Sequence, residues 1–185
     1  MHSGPERLWF RNAIEGLFVR DLKDVLTPSV RAELGALGFD LEKLRPAYPV
    51  PTFRKALEVV APLVAPGLTP FEQQVELGHR LTRGYFDTLL GHAVAKFVAM
   101  VGPERGLSRL GRNFRGLTNY LDVKVLEQGK GTARVSFSPV DGLTGLLLGI
   151  SDASGVLLRK RDATSKVSLI SDDGTEALMR FEWST

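Results

Sequence analysis

The chain of 185 residues contains no cysteine. That excludes a disulfide framework, a thiolate metal site and a cysteine nucleophile, and it fits a reducing compartment. Histidine is scarce at three residues, which leaves few groups for metal binding or proton transfer near neutral pH. No apolar run approaches the ~18–20 residues needed to span a bilayer. The first residues, Met1 to Arg7, are polar and lack the apolar core of a signal peptide, so a cytoplasmic location is expected. A net charge of +3 is too small to point to nucleic acid or a membrane surface. The apolar share of 43% and charged share of 24% are those of an ordinary globular protein, and the length suits one domain over residues 1–185.

What is present divides near Gly116. Before it, apolar residues recur at helical spacing; after it they alternate. Residues 1–7 read as a disordered leader, 8–116 as mainly helical and 117–185 as hairpin, helix, hairpin. Leu8-Trp9-Phe10 suits an edge strand or a helix start. Ile14, Leu17, Phe18 and Leu22 share a helical face. Thr27-Pro28 is a start signal, with Gly38 placed to end that helix. Pro46 to Pro51 reads as a connector, and the next helix, opening at Pro51 or Thr52, should kink or end at Pro62. Thr69-Pro70-Phe71-Glu72 has the form of a capping box for a helix reaching about Arg83. Tyr85 to Val101 is apolar nearly all round, which predicts a buried central helix. Gly102-Pro103 should open a further helix to about Gly111.

In the second part, Asn119–Glu127 and Thr132–Ser138 alternate around Gln128-Gly129-Lys130-Gly131, and Lys166–Ser171 and Thr175–Trp183 around Asp172-Asp173-Gly174. Leu143, Leu146, Leu147, Ile150, Leu157 and Leu158 suggest a helix covering the sheet. The expected fold is therefore α+β, an N-terminal helical layer followed by a four-stranded antiparallel sheet.

Chemistry is sparse. His79 lies at helical spacing from Glu72, Glu76 and Arg83, a grouping that reads as an ion-paired polar face. His92, between Thr88 and Lys96, reads as a buried polar site, with an axial haem ligand or an acid/base as the functional alternative. Arg105, Arg109 and Arg112 fall at i, i+4 and i+7, within ~60° of arc, and Arg115 extends the line. Leu107, Leu110 and Phe114 take the other side, and Glu104 is the one nearby acid. Guanidinium groups so spaced can grip a phosphate, a carboxylate or an acidic protein surface. The pair Arg105-x-x-x-Arg109 is shared with PilZ domains, whose accompanying D/N-x-S-x-x-G signature is missing. Arg159-Lys160-Arg161 sits where cations oppose a helix dipole. Gly142 to Gly149 lacks the Gly-Lys-Ser/Thr ending of a phosphate loop, and no Gly-x-Ser-x-Gly elbow occurs.

The string as a whole resembles a myxobacterial paralogous family of unknown function. Glu15-Gly16-Leu17-Phe18, Leu37-Gly38-Phe39-Asp40-Leu41, Tyr48-Pro49 and Gly84-Tyr85-Phe86-Asp87-Thr88-Leu89-Leu90-Gly91 carry the likeness. Gly102-Pro103-Glu104-Arg105-Gly106-Leu107, Asn113-Phe114-Arg115 and Phe181-Glu182-Trp183 extend it. The resemblance implies a bacterial regulatory setting and assigns no catalytic residue. The element order is also similar to haem-nitric-oxide-binding and vinyl-reductase-like sensor domains. The haem-binding family's Tyr-x-Ser-x-Arg motif is absent, since Tyr120 is followed by Leu121, Asp122, Val123 and Lys124. No cofactor is expected.

These readings favour a non-catalytic regulatory module. Its partner would be a small apolar or anionic ligand held between helices and sheet, or a protein, a second copy of the chain included. The anion-binding residues would be Arg105, Arg109, Arg112 and Arg115. The alternatives are an enzyme using His92 or His79 as acid/base, and a weak DNA-binding module working through the stretch Arg105–Arg115.

Overall fold

The computed structural model describes residues 5–101, 106–107, 109–158 and 164–184, apart from a few side chains in two helices. The chain opens on a short strand, β1 (Leu8–Phe10), and a helical turn, α1 (Arg11–Ile14), that widens into a π-helical segment over Glu15–Asp21. The segment packs closely on a later helix: a Cβ built on Gly16 would lie 2.7 Å from Tyr85 N, and one on Gly84 would lie 1.9 Å from Gly16 O. The two backbones touch, which only glycine allows at both positions.

Helix α2 (Pro28–Ala36) starts as expected, with the Thr27 hydroxyl accepting from Val30 N, and ends before Gly38 at φ +90°. The supposed connector holds a strand, β2 (Ala47–Pro49), antiparallel to β1 with Trp9 opposite Tyr48. Three residues each suffice because the pair is flanked by packed aromatics: Tyr48 stacks on Phe39 at 4.2 Å between centroids, and Trp9 meets Phe53 at 4.7 Å. Glu6 and Arg7, expected within a disordered leader, are tied to the fold. Asn119 donates to the Glu6 carbonyl, Val50 N to the Arg7 carbonyl, and Arg7 pairs with Asp141.

Helix α3 (Val50–Val64) carries Pro62 near its end and stops two residues later. Helix α4 (Pro70–Phe86) has the full capping box: Thr69 Oγ accepts from Glu72 N, and Glu72 returns a carboxylate to Thr69 N at 2.9 Å. It passes Arg83 without a break, because Gly84 serves contact with Gly16 rather than a bend. After Asp87 and Thr88 comes α5 (Leu89–Val101). Its described side chains correct the expectation of a central core helix: Leu89 is 92% exposed, Met100 80% and Leu90 45%. An apolar surface is buried only if a neighbour fits it, and the central place is taken by another helix.

That helix is α7 (Thr144–Leu158), which follows the short α6 (Leu110–Phe114) and the first hairpin, β3 (Asp122–Gly129) and β4 (Thr132–Ser138). Its glycines are the reason it fits. A Cβ on Gly149 would lie 2.0 Å from Val75 O, one on Gly78 2.3 Å from Leu146 O, and one on Gly145 2.6 Å from Phe71 O. Three bare positions let α4 and α7 pack backbone to backbone, closing Leu77, Leu81, Leu146, Leu147 and Ile150 from water. The second hairpin, β5 (Ser165–Asp172) and β6 (Ala177–Trp183), completes a four-stranded antiparallel sheet in the order β3-β4-β6-β5. Ala133, Val135, Phe137, Ala177, Met179 and Phe181 line its buried face. The architecture is α+β, as the change of period implies.

Candidate functional site

The arginine stretch meets the structure unevenly. Arg105 lies outside the described residues, as do Glu104 and Arg159-Lys160-Arg161. Arg109 is not on a continuous helix: it precedes α6 with φ −106° and ψ 0°, so the stripe at i, i+4 and i+7 is broken there. The packed side is as expected, with Leu107 and Phe114 buried and Phe114 edge-on to Phe137 at 5.4 Å. Arg109, Arg112 and Arg115 are all exposed.

What anchors α6 is Gly111, expected to end a helix and found within one. Gly111 lies so close to β3 that a Cβ there would be 2.9 Å from the Val123 carbonyl oxygen. The helix therefore sits on the edge strand of the sheet. Arg115, four residues after Gly111, shares the sheet-facing side of the turn, and Arg112 lies about a quarter-turn away. Elsewhere arginines face acids: Arg20 with Glu15, Arg80 with Glu76 and Asp21, Arg83 with Asp21, Arg134 with Glu127. No carboxylate of a described residue pairs with Arg112 or Arg115. Guanidinium groups held on a fixed turn, with no acid paired to them among the described residues, have the form that phosphate or carboxylate oxygens can meet.

The histidines separate. His92, expected to be buried, is exposed; its Nδ1 lies 3.2 Å from the Thr88 carbonyl of the preceding turn. His79 is half-buried between two carboxylates, with Nδ1 3.7 Å from Glu76 Oε2 and Nε2 3.3 Å from Asp152 Oδ2 of α7. The second contact lacks hydrogen-bond alignment, and Nε2 is enclosed without a partner. Asp152 also accepts Val167 N at 3.0 Å through Oδ1, so it ties α7 to β5 as well as facing α4. Arg83, expected beside His79, turns instead to Asp21 at 2.8 Å. The described residues contain no group of three or more acids and histidines able to hold a metal.

Tyr120 is the other informative side chain. Its hydroxyl accepts the indole N–H of the fully buried Trp9 at 3.2 Å, and the Arg7 guanidinium lies 5.9 Å from its ring centre. Burial pushes its hydroxyl up to about 12, against the opposing effect of the Trp9 hydrogen bond. A cavity of about 520 Å³ opens elsewhere, at the end of α2, lined by Gly35, Gly38, Asp40, Lys43, Leu44, Arg45 and Pro46. It includes none of the arginines of the candidate site.

The profile of the DUF2378 family, described as a protein of unknown function, matches residues 7–184. The chain belongs to that family. Among curated proteins no relative matches. Solved structures of similar fold are H-NOX domains. A doubly substituted Tt H-NOX is 15% identical, with a TM-score of 0.62, covering 94% of this chain and 95% of its own. An oxygen-binding H-NOX domain related to soluble guanylate cyclases is 13% identical, with a TM-score of 0.60 and coverage of 94% and 92%. The Fe(II) unliganded H-NOX protein from K. algicida is 11% identical, with a TM-score of 0.58 and coverage of 94% and 95%. The DUF2378 chain thus has an H-NOX-like fold.

The donors in this chain do not fit a haem. In place of the Tyr-x-Ser-x-Arg motif this chain has Tyr120, Asp122 and Lys124, an acid where the motif has a hydroxyl and an ammonium where it has a guanidinium. The Tyr120 hydroxyl accepts from Trp9 and keeps its own proton to donate, but Asp122 sets a negative charge at the middle position and pairs with Lys124 at 2.7 Å. His92, the one histidine on α5, stands exposed. No helix among the described residues is long and apolar enough to cross a membrane.

Proposed function

We propose that this DUF2378 chain is a non-catalytic regulatory module that recognises an anionic ligand or protein partner through Arg112 and Arg115, with Arg105 and Arg109 of the same stretch. The observation that carries the reading is the state of those two arginines. They are exposed, face no acid among the described residues, and sit on a turn fixed by buried Phe114 and by Gly111 against β3. Fixing the turn lowers the ordering cost of binding, and bidentate guanidinium contacts suit phosphate and carboxylate oxygens. An H-NOX-like fold supports a sensing role by analogy of architecture alone, and the haem motif's replacement directs attention away from the cofactor to the surface.

The test is a comparison of the wild type with the R112E/R115E double variant. Binding of nucleotides, fatty acids and acidic peptides would be followed by thermal shift and titration calorimetry. The expected result is binding by at least one anion class that the variant loses. Anion binding that survives in the variant, or a wild type that binds none of these probes, would refute the reading.

A further inference from the structure

The four-stranded sheet has two edges, and they differ. At β5 the edge is closed by α7: Asp152 Oδ1 takes the N–H of Val167 at 3.0 Å, and a Cβ on Gly155 would lie 2.3 Å from Ser165 Oγ. At β3 the edge is met by Gly111, which stands against the Val123 carbonyl near the start of the strand. That contact fixes the direction of the strand's polar groups. The N–H and C=O of one strand residue point to the same side, and alternate residues repeat it. Since Val123 faces away from β4, Val125 does so too, ahead of the bulge that separates it from Glu127. No other described backbone group bonds to Val125 from outside. The strand is also poorly covered by side chains: Val125 is 36% exposed and Leu126 53%.

The charges around this edge have one sign to spare. Arg112 and Arg115 stand at its α6 end and Lys130 at its hairpin end, all exposed. Within it, Lys124 is matched by Asp122, and Glu127 by Arg134. A second copy of β3 pairing antiparallel about Val125 and Leu126 would bring each Lys130 turn beside the other copy's Arg112 and Arg115. Like charges across such an edge are unfavourable. An acidic strand meets no such conflict.

We infer that the β3 edge accepts an extended acidic segment of a partner protein. The segment adds a fifth strand beside Val125, sets carboxylates on Arg112 and Arg115, and lays its alternate apolar side chains over Val125 and Leu126. This inference rests on the anion-recognising role proposed for the arginines and names its partner class.

The experiment uses the full chain and two labelled octapeptides, one alternating glutamate and valine, the other glutamine and valine. Fluorescence anisotropy measures affinity, and amide hydrogen exchange locates the contact. The acidic peptide should bind at least tenfold more tightly than its neutral counterpart and protect the Val125 amide. R112E/R115E should lose the difference between peptides. Val125→Pro, which removes an outward N–H and spares the ladder to β4, should weaken the acidic peptide at least tenfold while leaving any citrate-induced thermal shift unchanged. Acidic-peptide binding with no protection of β3, or undiminished in a folded Val125→Pro, overturns the strand assignment and leaves the arginine reading standing. Arginine-dependent citrate binding without peptide binding does the same. Peptide binding untouched by R112E/R115E overturns both readings. β3 protection that rises with protein concentration in the absence of peptide assigns the edge to a second copy and overturns the inference. If Val125→Pro does not fold, exchange in the wild type decides.

Discussion

The seam between α4 and α7 offers a quantitative test, because there a single methyl group meets backbone on the opposite side. Replacing Gly149 by alanine would place that methyl 2.0 Å from the Val75 carbonyl oxygen, more than an ångström inside the distance of about 3.4 Å where ordinary contact begins. A flexible side chain could swing away; a helix carbonyl cannot. The helices must then separate by about 1 Å, and a gap of that size forfeits about a quarter to a half of the dispersion well of the atoms involved. Leu77, Leu81, Leu146 and Ile150, each buried along this seam, are stabilised by roughly 1.5–3 kcal/mol apiece through burial. The summed loss is on the order of 2–5 kcal/mol. Against it stands the higher helix propensity of alanine, about 1 kcal/mol. The net expectation is a destabilisation of about 1–4 kcal/mol, and a fall in Tm of roughly 3–15 °C for a chain of this length. Urea denaturation followed by circular dichroism measures it. Gly35 supplies the control: it lies in α2 with nothing within 4 Å of its Cβ position, so Gly35→Ala should raise stability by up to about 1 kcal/mol. A Gly149→Ala variant as stable as the wild type would show that the helices do not meet at backbone distance.

Three further outcomes follow from individual contacts. Tyr120→Phe strands the buried indole N–H of Trp9, so stability should fall by about 1–3 kcal/mol in the same assay. Since burial raises the Tyr120 hydroxyl to about 12, from an ordinary 10, the folded state holds this proton more tightly than the unfolded chain does. The associated stability is complete below pH 10 and is lost as pH rises toward 12, which ultraviolet titration of tyrosinate against unfolding would reveal as a late-ionising group absent from Tyr120→Phe. Thr69→Ala removes the cap of α4 and should cost about 1 kcal/mol; the hydrogen bonds from Thr69 also hold the Glu72 carboxyl below its ordinary value, so this variant should flatten the stability lost on acidification through the carboxylate range. The R112E/R115E variant should unfold within about 0.5 kcal/mol of the wild type, because both side chains are exposed and unpaired among the described residues.

How much of this was readable in advance depended on whether the deciding contact was local. The two threonine-capped helices, the hairpin turns at Gly131 and Gly174, and the sheet's buried face follow from neighbours a few residues apart, and the structure has them where the sequence implies. The placement of α5 and α7 was not local. By composition α5 is the more apolar and α7 is weakened by three glycines, each costing about 1 kcal/mol in an isolated helix. Two of them, Gly145 and Gly149, together with Gly78 of α4, let α7 reach the backbone of α4, and Gly155 meets Ser165 of β5, so the weaker helix takes the central position and α5 keeps Leu89 and Met100 exposed. Likewise β1 and β2 are three residues each, too short for a periodic signal, and are held by the aromatic contacts around Tyr48 and Trp9.

The candidate site shows the same division. Arg109, Arg112 and Arg115 could be listed from spacing, and their exposure follows from the buried side of the stretch. What spacing could not show is that α6 begins only after Arg109 and that Gly111, unremarkable in the sequence, is pressed against Val123. That one contact converts a charged helix face into the corner of a sheet edge. A solvated arginine stripe would bind any anion by charge, with loss on added salt and little regard for shape. Arginines fixed beside outward-facing strand groups can select for an extended backbone as well. The two cases differ in a measurable way: at a salt concentration that abolishes binding of citrate, an extended acidic peptide with apolar alternate residues should retain affinity through its backbone hydrogen bonds and its cover over Leu126. If peptide and citrate lose binding in parallel as salt rises, the arginines act as charge alone.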